Sequence, residues 1–140
     1  MNIKNFCLSV ISGLMLGLSW PTYGLTLMVF IGFVPILHLE KINRESSLKL
    51  VFFYSYFSFF LWNLVATWWL VYASVFGMLF AVLVNSLLMG IVFTFYSVVA
   101  RRVDEKLSLI YFITAWIVFE KFHLNWDFSW PWLNLGNVFS

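Results

Sequence analysis

Glu120, Lys121, His123 and Asp127 fall within eight positions of one another, and Trp126, Trp130, Pro131 and Trp132 form an aromatic turn beside them, ahead of Gly136. A carboxylate, an ammonium and an imidazole this close could shuttle protons, hold a cation or meet a polar headgroup. His123 and Asp127 are four apart, which puts them on one face wherever a helix continues that far. Two ligands fall short of the three or four protein ligands a zinc site uses. The only other histidine, His38, is expected on the opposite side of the fold. Hydrogen bonding at a helix end is therefore the better account of the pair. Glu120 and Lys121 are neighbours and point in different directions. Glu120 either meets a polar partner inside a helical bundle, because an unpaired buried carboxylate is costly, or lies at headgroup depth and reaches for water with Lys121.

Nothing else in the chain offers a reaction centre. The single cysteine, Cys7, has no His, carboxylate or cation near it in sequence to lower its pKa beyond Lys4 at the chain start, which makes it a poor nucleophile. One cysteine also excludes an internal disulfide and a multi-cysteine metal site. No glycine-rich phosphate loop, Ser-His-Asp arrangement or paired general acid and base is present, and no cofactor is implied.

The elements that must position the Glu120–Trp132 stretch are membrane helices. With 63% hydrophobic and 10% charged residues and a mean hydropathy of +0.93, the chain is too apolar for a soluble domain. Its net charge of +2 is spread over short loops, so no nucleic-acid footprint exists. The fold class expected is an all-α integral membrane protein with about five transmembrane helices, over residues 5–19, 25–39, 50–72, 78–100 and 107–123. Lys4 ahead of an apolar run is how a secretory signal begins, but no small-x-small cleavage site follows, so the first helix is read as retained. Ser9, Gly13 and Gly17, spaced by four, suit close helix packing. Trp20 to Gly24 reads as a turn, Pro35 as a kink near the end of helix two, and residues 40–49 and 101–106 as charged loops. Asn63 and Asn85, deep in helices three and four, are expected to bond across helices.

Orientation follows from the basic residues. A cytoplasmic N-terminus puts Lys4, Lys41, Arg44, Lys49, Arg101, Arg102 and Lys106 inside and leaves only Lys121 near the other face. Trp20, Trp68, Trp69, Trp126, Trp130 and Trp132 then all fall on the outer side. That asymmetry reads either as an aromatic belt or as a surface that handles lipid.

In order and spacing, several segments resemble the N-terminal membrane part of bacterial apolipoprotein N-acyltransferase. They are Leu18-Ser19-Trp20-Pro21-Thr22-Tyr23-Gly24 with Gly32-Phe33-Val34-Pro35, the turn from Trp68-Trp69 to Phe76-Gly77, and Trp116 to Glu120 leading to Trp130-Pro131-Trp132-Leu133 and Gly136. The resemblance covers nearly the whole chain, residues 1–140. It implies a multi-pass protein of the bacterial inner membrane with its C-terminal segment periplasmic. The implied activity moves an acyl chain from a phospholipid donor to the N-terminal amine of the diacylglyceryl-cysteine of a lipoprotein acceptor. In that family the reaction runs through a cysteine thioester in a nitrilase-like domain bearing a Glu-Lys-Cys triad. No such domain is in these 140 residues, so the chain is expected to be the N-terminal part of a longer enzyme, with no catalytic residue of its own. Carried over by position, Trp132 and Pro131 match the Phe-Pro-Trp-Leu segment at the mouth of the lipid site, and Glu120 matches the glutamate that precedes it. Trp130 stands for the phenylalanine of that segment, and His123 stands where an arginine is frequent, which removes any expectation of phosphate contact there.

Two other classes compete. A small transporter or channel subunit would show charges in mid-membrane or an inverted repeat; helices one to four hold no central charge, and segments one and two do not resemble three and four. A non-catalytic membrane module is the other. A Glu-Lys-Cys domain in the same protein separates it from the enzyme.

Overall fold

The computed structural model describes residues 2–125 and 131–140, and every regular element among them is helical. The long elements are α1 (Ile3–Leu18), α4 (Leu48–Thr67), α5 (Val75–Ala100) and α6 (Glu105–His123). Two short helices, α2 (Val29–Gly32) and α3 (Val34–Ile42), lie between α1 and α4. Each long helix starts on a polar cap. Asn2 accepts from the Lys4 N–H, Ser47 from Lys49, Ser74 from Gly77, and Asp104 from Lys106 and Leu107. A cap oxygen takes up a donor that the first turn leaves without a partner. The caps explain why α4, α5 and α6 begin two or three residues before their first expected apolar positions.

Helix two is not the single span expected over residues 25–39. A 3₁₀ turn, Thr26–Met28, leads into α2, the chain breaks at Phe33, and α3 runs on to Ile42. Pro35 sits in the first turn of α3 and not near the end of a long helix. Proline has no N–H and its ring crowds the carbonyl four residues back, so a helix restarts around it more readily than it continues through it. Ser12 of α1 donates to the Gly32 carbonyl at 2.6 Å and holds the break against the bundle. Helix three reaches Tyr72 as expected, but only to Thr67 as α-helix (α4); the chain then tightens into a 3₁₀ segment over Trp68–Tyr72.

Small residues let α1 lie close on α4. A Cβ on Gly13 would collide with the Ser58 carbonyl oxygen, and one on Gly17 would come within 2.7 Å of the Val65 Cβ. Ser9 is buried on the same face. This is the close approach that the four-residue spacing of small side chains permits. The α4 and α5 helices are joined by the Asn pair expected from sequence: Asn85 Nδ2 donates to Asn63 Oδ1 at 2.7 Å, both residues being buried.

The segments Leu48–Tyr72 and Val75–Ala100 are long and apolar enough to cross a membrane; Ile3–Leu18 is apolar but shorter. The outward face of α5 exposes Leu79, Phe80, Leu83, Leu87, Ile91 and Phe95, a surface suited to acyl chains or to further helices.

The two ends of the bundle differ in chemistry. At one end Asn5 pairs with Asn43, Lys41 with Glu105 at 2.9 Å, and Arg44 with Glu40 at 2.9 Å. Glu40, expected in a charged loop, is fully buried in the last turns of α3 and also accepts from Ser97 Oγ of α5 at 3.0 Å. Its burial corrects the loop expectation, and the i, i+4 spacing to Arg44 is what makes it tolerable. At the other end gather Trp20, Trp69, Trp132 and the C-terminal turns.

Candidate functional site

The second end is built from three parts of the chain. The turn after α1 supplies Trp20, Pro21 and Thr22; the end of α4 with its 3₁₀ extension supplies Ala66, Thr67 and Trp69; and the 3₁₀ turns Pro131–Leu133 and Leu135–Phe139 supply Trp132 and Asn137. Together these residues line an open cavity of about 360 Å³. Gly24, the one glycine with positive φ (71°) among the described residues, closes the first turn, a conformation that would strain a side chain. Tyr23 Oη donates to the Val65 carbonyl at 3.0 Å and ties that turn to α4.

Trp132 stands at this mouth with half of its surface exposed. Its ring meets Trp69 edge to face, centroids 5.8 Å apart and planes at 87°, the arrangement that aromatic quadrupoles favour. Its backbone carbonyl accepts from the Trp20 indole N–H at 3.1 Å. Asn137 Nδ2 donates to the Pro131 carbonyl at 2.7 Å and closes the turn from the other side. Leu133 and Val138 are buried and anchor the two turns in the core.

Behind the cavity an aromatic column runs into the bundle. Trp20 packs on Trp62 at 5.5 Å, and Trp62 stacks on Trp116 at 6.0 Å with planes only 12° apart. Phe33 sets its edge against Trp62, Phe112 and Trp116. Large rings with few rotatable bonds fill this core at low entropic cost.

Glu120, in the last turns of α6, does not line this cavity but has found partners inside the protein. Its Oε1 accepts from the Trp116 indole N–H at 3.1 Å and from the Leu135 backbone N–H at 2.9 Å. The alternative of a carboxylate reaching for water with Lys121 does not describe it. Beside it a small cavity of about 10 Å³, the size of one water at most, is lined by Asn85, Met89, His123, Leu133 and Asn134 among others. His123 is buried, its ring 4.6 Å from that of Phe119. Trp126, Asp127 and Trp130 lie outside the described residues, so the expected His123–Asp127 contact and the position of Trp130 do too.

Of the residues singled out in the sequence, the fold brings Pro131, Trp132 and Glu120 into one neighbourhood: Glu120 binds the backbone two residues after the turn that carries the other two. Sequence reading assigned no role to Asn137 and placed Trp20 among the outer tryptophans and in the resemblance, without linking it to the Trp132 turn. Contacts separated by more than a hundred residues, such as Trp20 to Trp132, leave no local spacing to read.

The chain matches the family described as "Apolipoprotein N-acyltransferase N-terminal domain" over residues 12–140. It is similar to the apolipoprotein N-acyltransferase of Chlorobaculum tepidum, with 31% identity over 137 residues, covering 96% of this chain and 25% of that relative. The chain thus spans about a quarter of the length of that relative. No solved structure matches it. With nearly all of its length inside the family match, the chain belongs to the apolipoprotein N-acyltransferase N-terminal domain family.

Proposed function

We propose that this chain is the membrane part of an enzyme that moves an acyl chain from a phospholipid to the N-terminal amine of the diacylglyceryl-cysteine of a lipoprotein. The proposal places it in the bacterial inner membrane with its N-terminus and basic end cytoplasmic and its tryptophan end periplasmic. The placement rests on seven of eight basic residues sharing one side. The chemistry belongs to a nitrilase-like domain with a Glu-Lys-Cys triad; the membrane part receives the lipid substrates and presents them.

The observation that carries this reading is the rim at the tryptophan end. Trp132 is half exposed over a cavity of about 360 Å³ bordered by Trp20 and Trp69. An acyl chain leaving the bilayer toward a water-exposed nucleophile must cross the headgroup layer. Indole rings offer an apolar face to the chain and an N–H to the headgroup at that depth. Pro131 opens the turn that carries Trp132, and Trp130, outside the described residues, is proposed as a further lipid contact on the resemblance alone. The test is an assay of the whole protein that carries this chain, purified with phospholipid. An acyl-enzyme thioester that then transfers its acyl group to a diacylglyceryl peptide is expected, and failure to form any acyl-enzyme would leave only a non-catalytic membrane module.

A further inference from the structure

The Trp132 turn is held by its backbone. The Trp132 carbonyl accepts from the buried Trp20 indole at 3.1 Å, and three residues on the Leu135 N–H donates to Glu120 at 2.9 Å. Neither bond involves the Trp132 ring, which stays half exposed. Trp20 is fixed in turn by its packing on Trp62, and Glu120 by the N–H of Trp116, which stacks on that same Trp62. Both tethers therefore start from one aromatic column and grip the two ends of a four-residue stretch.

We infer that Glu120 and Trp20 are positioning residues that latch the Trp132 turn to the Trp62–Trp116 stack, and that Glu120 acts as a hydrogen-bond acceptor and not as a charge offered to substrate. The inference rests on the proposed lipid-facing rim for its functional readout. One oxygen, Oε1, takes both bonds, and Oε2 takes none among the described residues. An amide can put its carbonyl oxygen where Oε1 stands and leave its NH₂ at the Oε2 position. A glutamine there preserves the latch, whereas an apolar side chain of similar size leaves two N–H groups without an acceptor, each a desolvated donor.

The test uses the whole acyltransferase carrying this chain, in phospholipid, with 5-fluorotryptophan incorporated and the Trp132 ¹⁹F resonance assigned by its loss in Trp132→Phe. Glu120→Leu is expected to move or broaden the Trp132 resonance and, with two donors left without an acceptor, to lower kcat/KM for acyl-enzyme formation at least about tenfold. Glu120→Gln is expected to keep the resonance in place and to retain most of the rate that Glu120→Leu loses. Trp20→Phe, which keeps an aromatic ring beside Trp62 but removes the indole N–H together with part of the ring, is expected to shift the same resonance, and it carries the test if Glu120→Leu does not accumulate. The inference is overturned if Glu120→Gln loses as much rate as Glu120→Leu at equal amounts of folded protein, since the charge would then be what acts. It is equally overturned if the Trp132 resonance ignores Glu120→Leu or Trp20→Phe. Trp132→Ala separates the two layers: an unchanged rate in that variant refutes the rim, while the resonance shifts still report on the latch.

Discussion

Removing Arg44 should strand a carboxylate in the core. Glu40 is fully buried, and its bonds are two from Arg44, at 2.9 and 3.4 Å, and one from Ser97 at 3.0 Å. Only the shorter Arg44 bond is strong; at 3.4 Å the other adds little. The Glu40 hydrogen bond holds the Arg44 guanidinium above its ordinary pKa, so the cation persists at any working pH. Arg44→Met deletes both Arg44 bonds and leaves the carboxylate with a single hydroxyl. Breaking a buried pair in this way costs about 3–5 kcal/mol. Arg44 keeps 23% of its side chain accessible, so water reaches part of the gap and the low end, about 3 kcal/mol, is expected. Glu40→Gln removes the charge but keeps an acceptor for Ser97, and should cost about 1–2 kcal/mol. The double variant Glu40→Leu with Arg44→Met removes the buried charge along with its partner and should cost less than Arg44→Met alone. Thermal loss of monodisperse protein in detergent, with Lys49→Met as the surface control, ranks the four. Arg44→Met no worse than Lys49→Met would refute the reasoning, because it would mean that water already solvates Glu40.

Gly13→Ala forces a methyl into the Ser58 carbonyl, so α1 must move off α4; a loss of about 1–3 kcal/mol is expected by the same thermal assay, while Gly136→Ala, which meets nothing within 4 Å, should be close to neutral. Asn85→Leu removes the 2.7 Å bond to Asn63 and leaves the Asn63 side-chain Oδ1 without that donor, at a cost of about 1 kcal/mol. Glu105, in the loop-side turn of α6, is held below the ordinary carboxylate range by the hydrogen bond from Lys41. A depressed carboxylate contributes stability above its unfolded pKa and loses it as pH falls through the lower folded value. Lys41→Ala should therefore match the parent protein at acid pH below that window and differ slightly near neutrality; both groups are more than half exposed, so high salt should erase the difference.

Much of the all-helical fold was legible because long apolar runs announce helices. The small-residue spacing on α1 and the Asn63–Asn85 bond could be read directly, since both follow from residue type and helical register. The break at Phe33 was missed because Pro35 was assigned to the end of a helix, although proline is better placed in a first turn. Glu40 was misread as a loop residue because burial depends on what packs over it, here Ser97, from an element 57 positions away. The helix starts at Ser47, Ser74 and Asp104 were available as cap signals, but apolar content alone moved the expected boundaries inward. In the candidate site, the resemblance singled out Trp132, Pro131, Trp130 and Glu120, and the fold sets Pro131, Trp132 and Glu120 near one another. Sequence gave no sign that Trp20 and Asn137 bind the same turn, because a hydrogen bond to a backbone carbonyl needs no particular residue at the acceptor position.

The most direct test of the rim is acyl-enzyme formation from labelled phospholipid in the whole enzyme with Trp130→Ala and Trp132→Ala combined. Loss of the indole faces should raise the phospholipid concentration needed for half-maximal rate and slow thioester formation at least about tenfold, compared at equal amounts of folded protein. An unchanged rate at every phospholipid concentration would contradict the account and leave the tryptophan end as an interfacial belt.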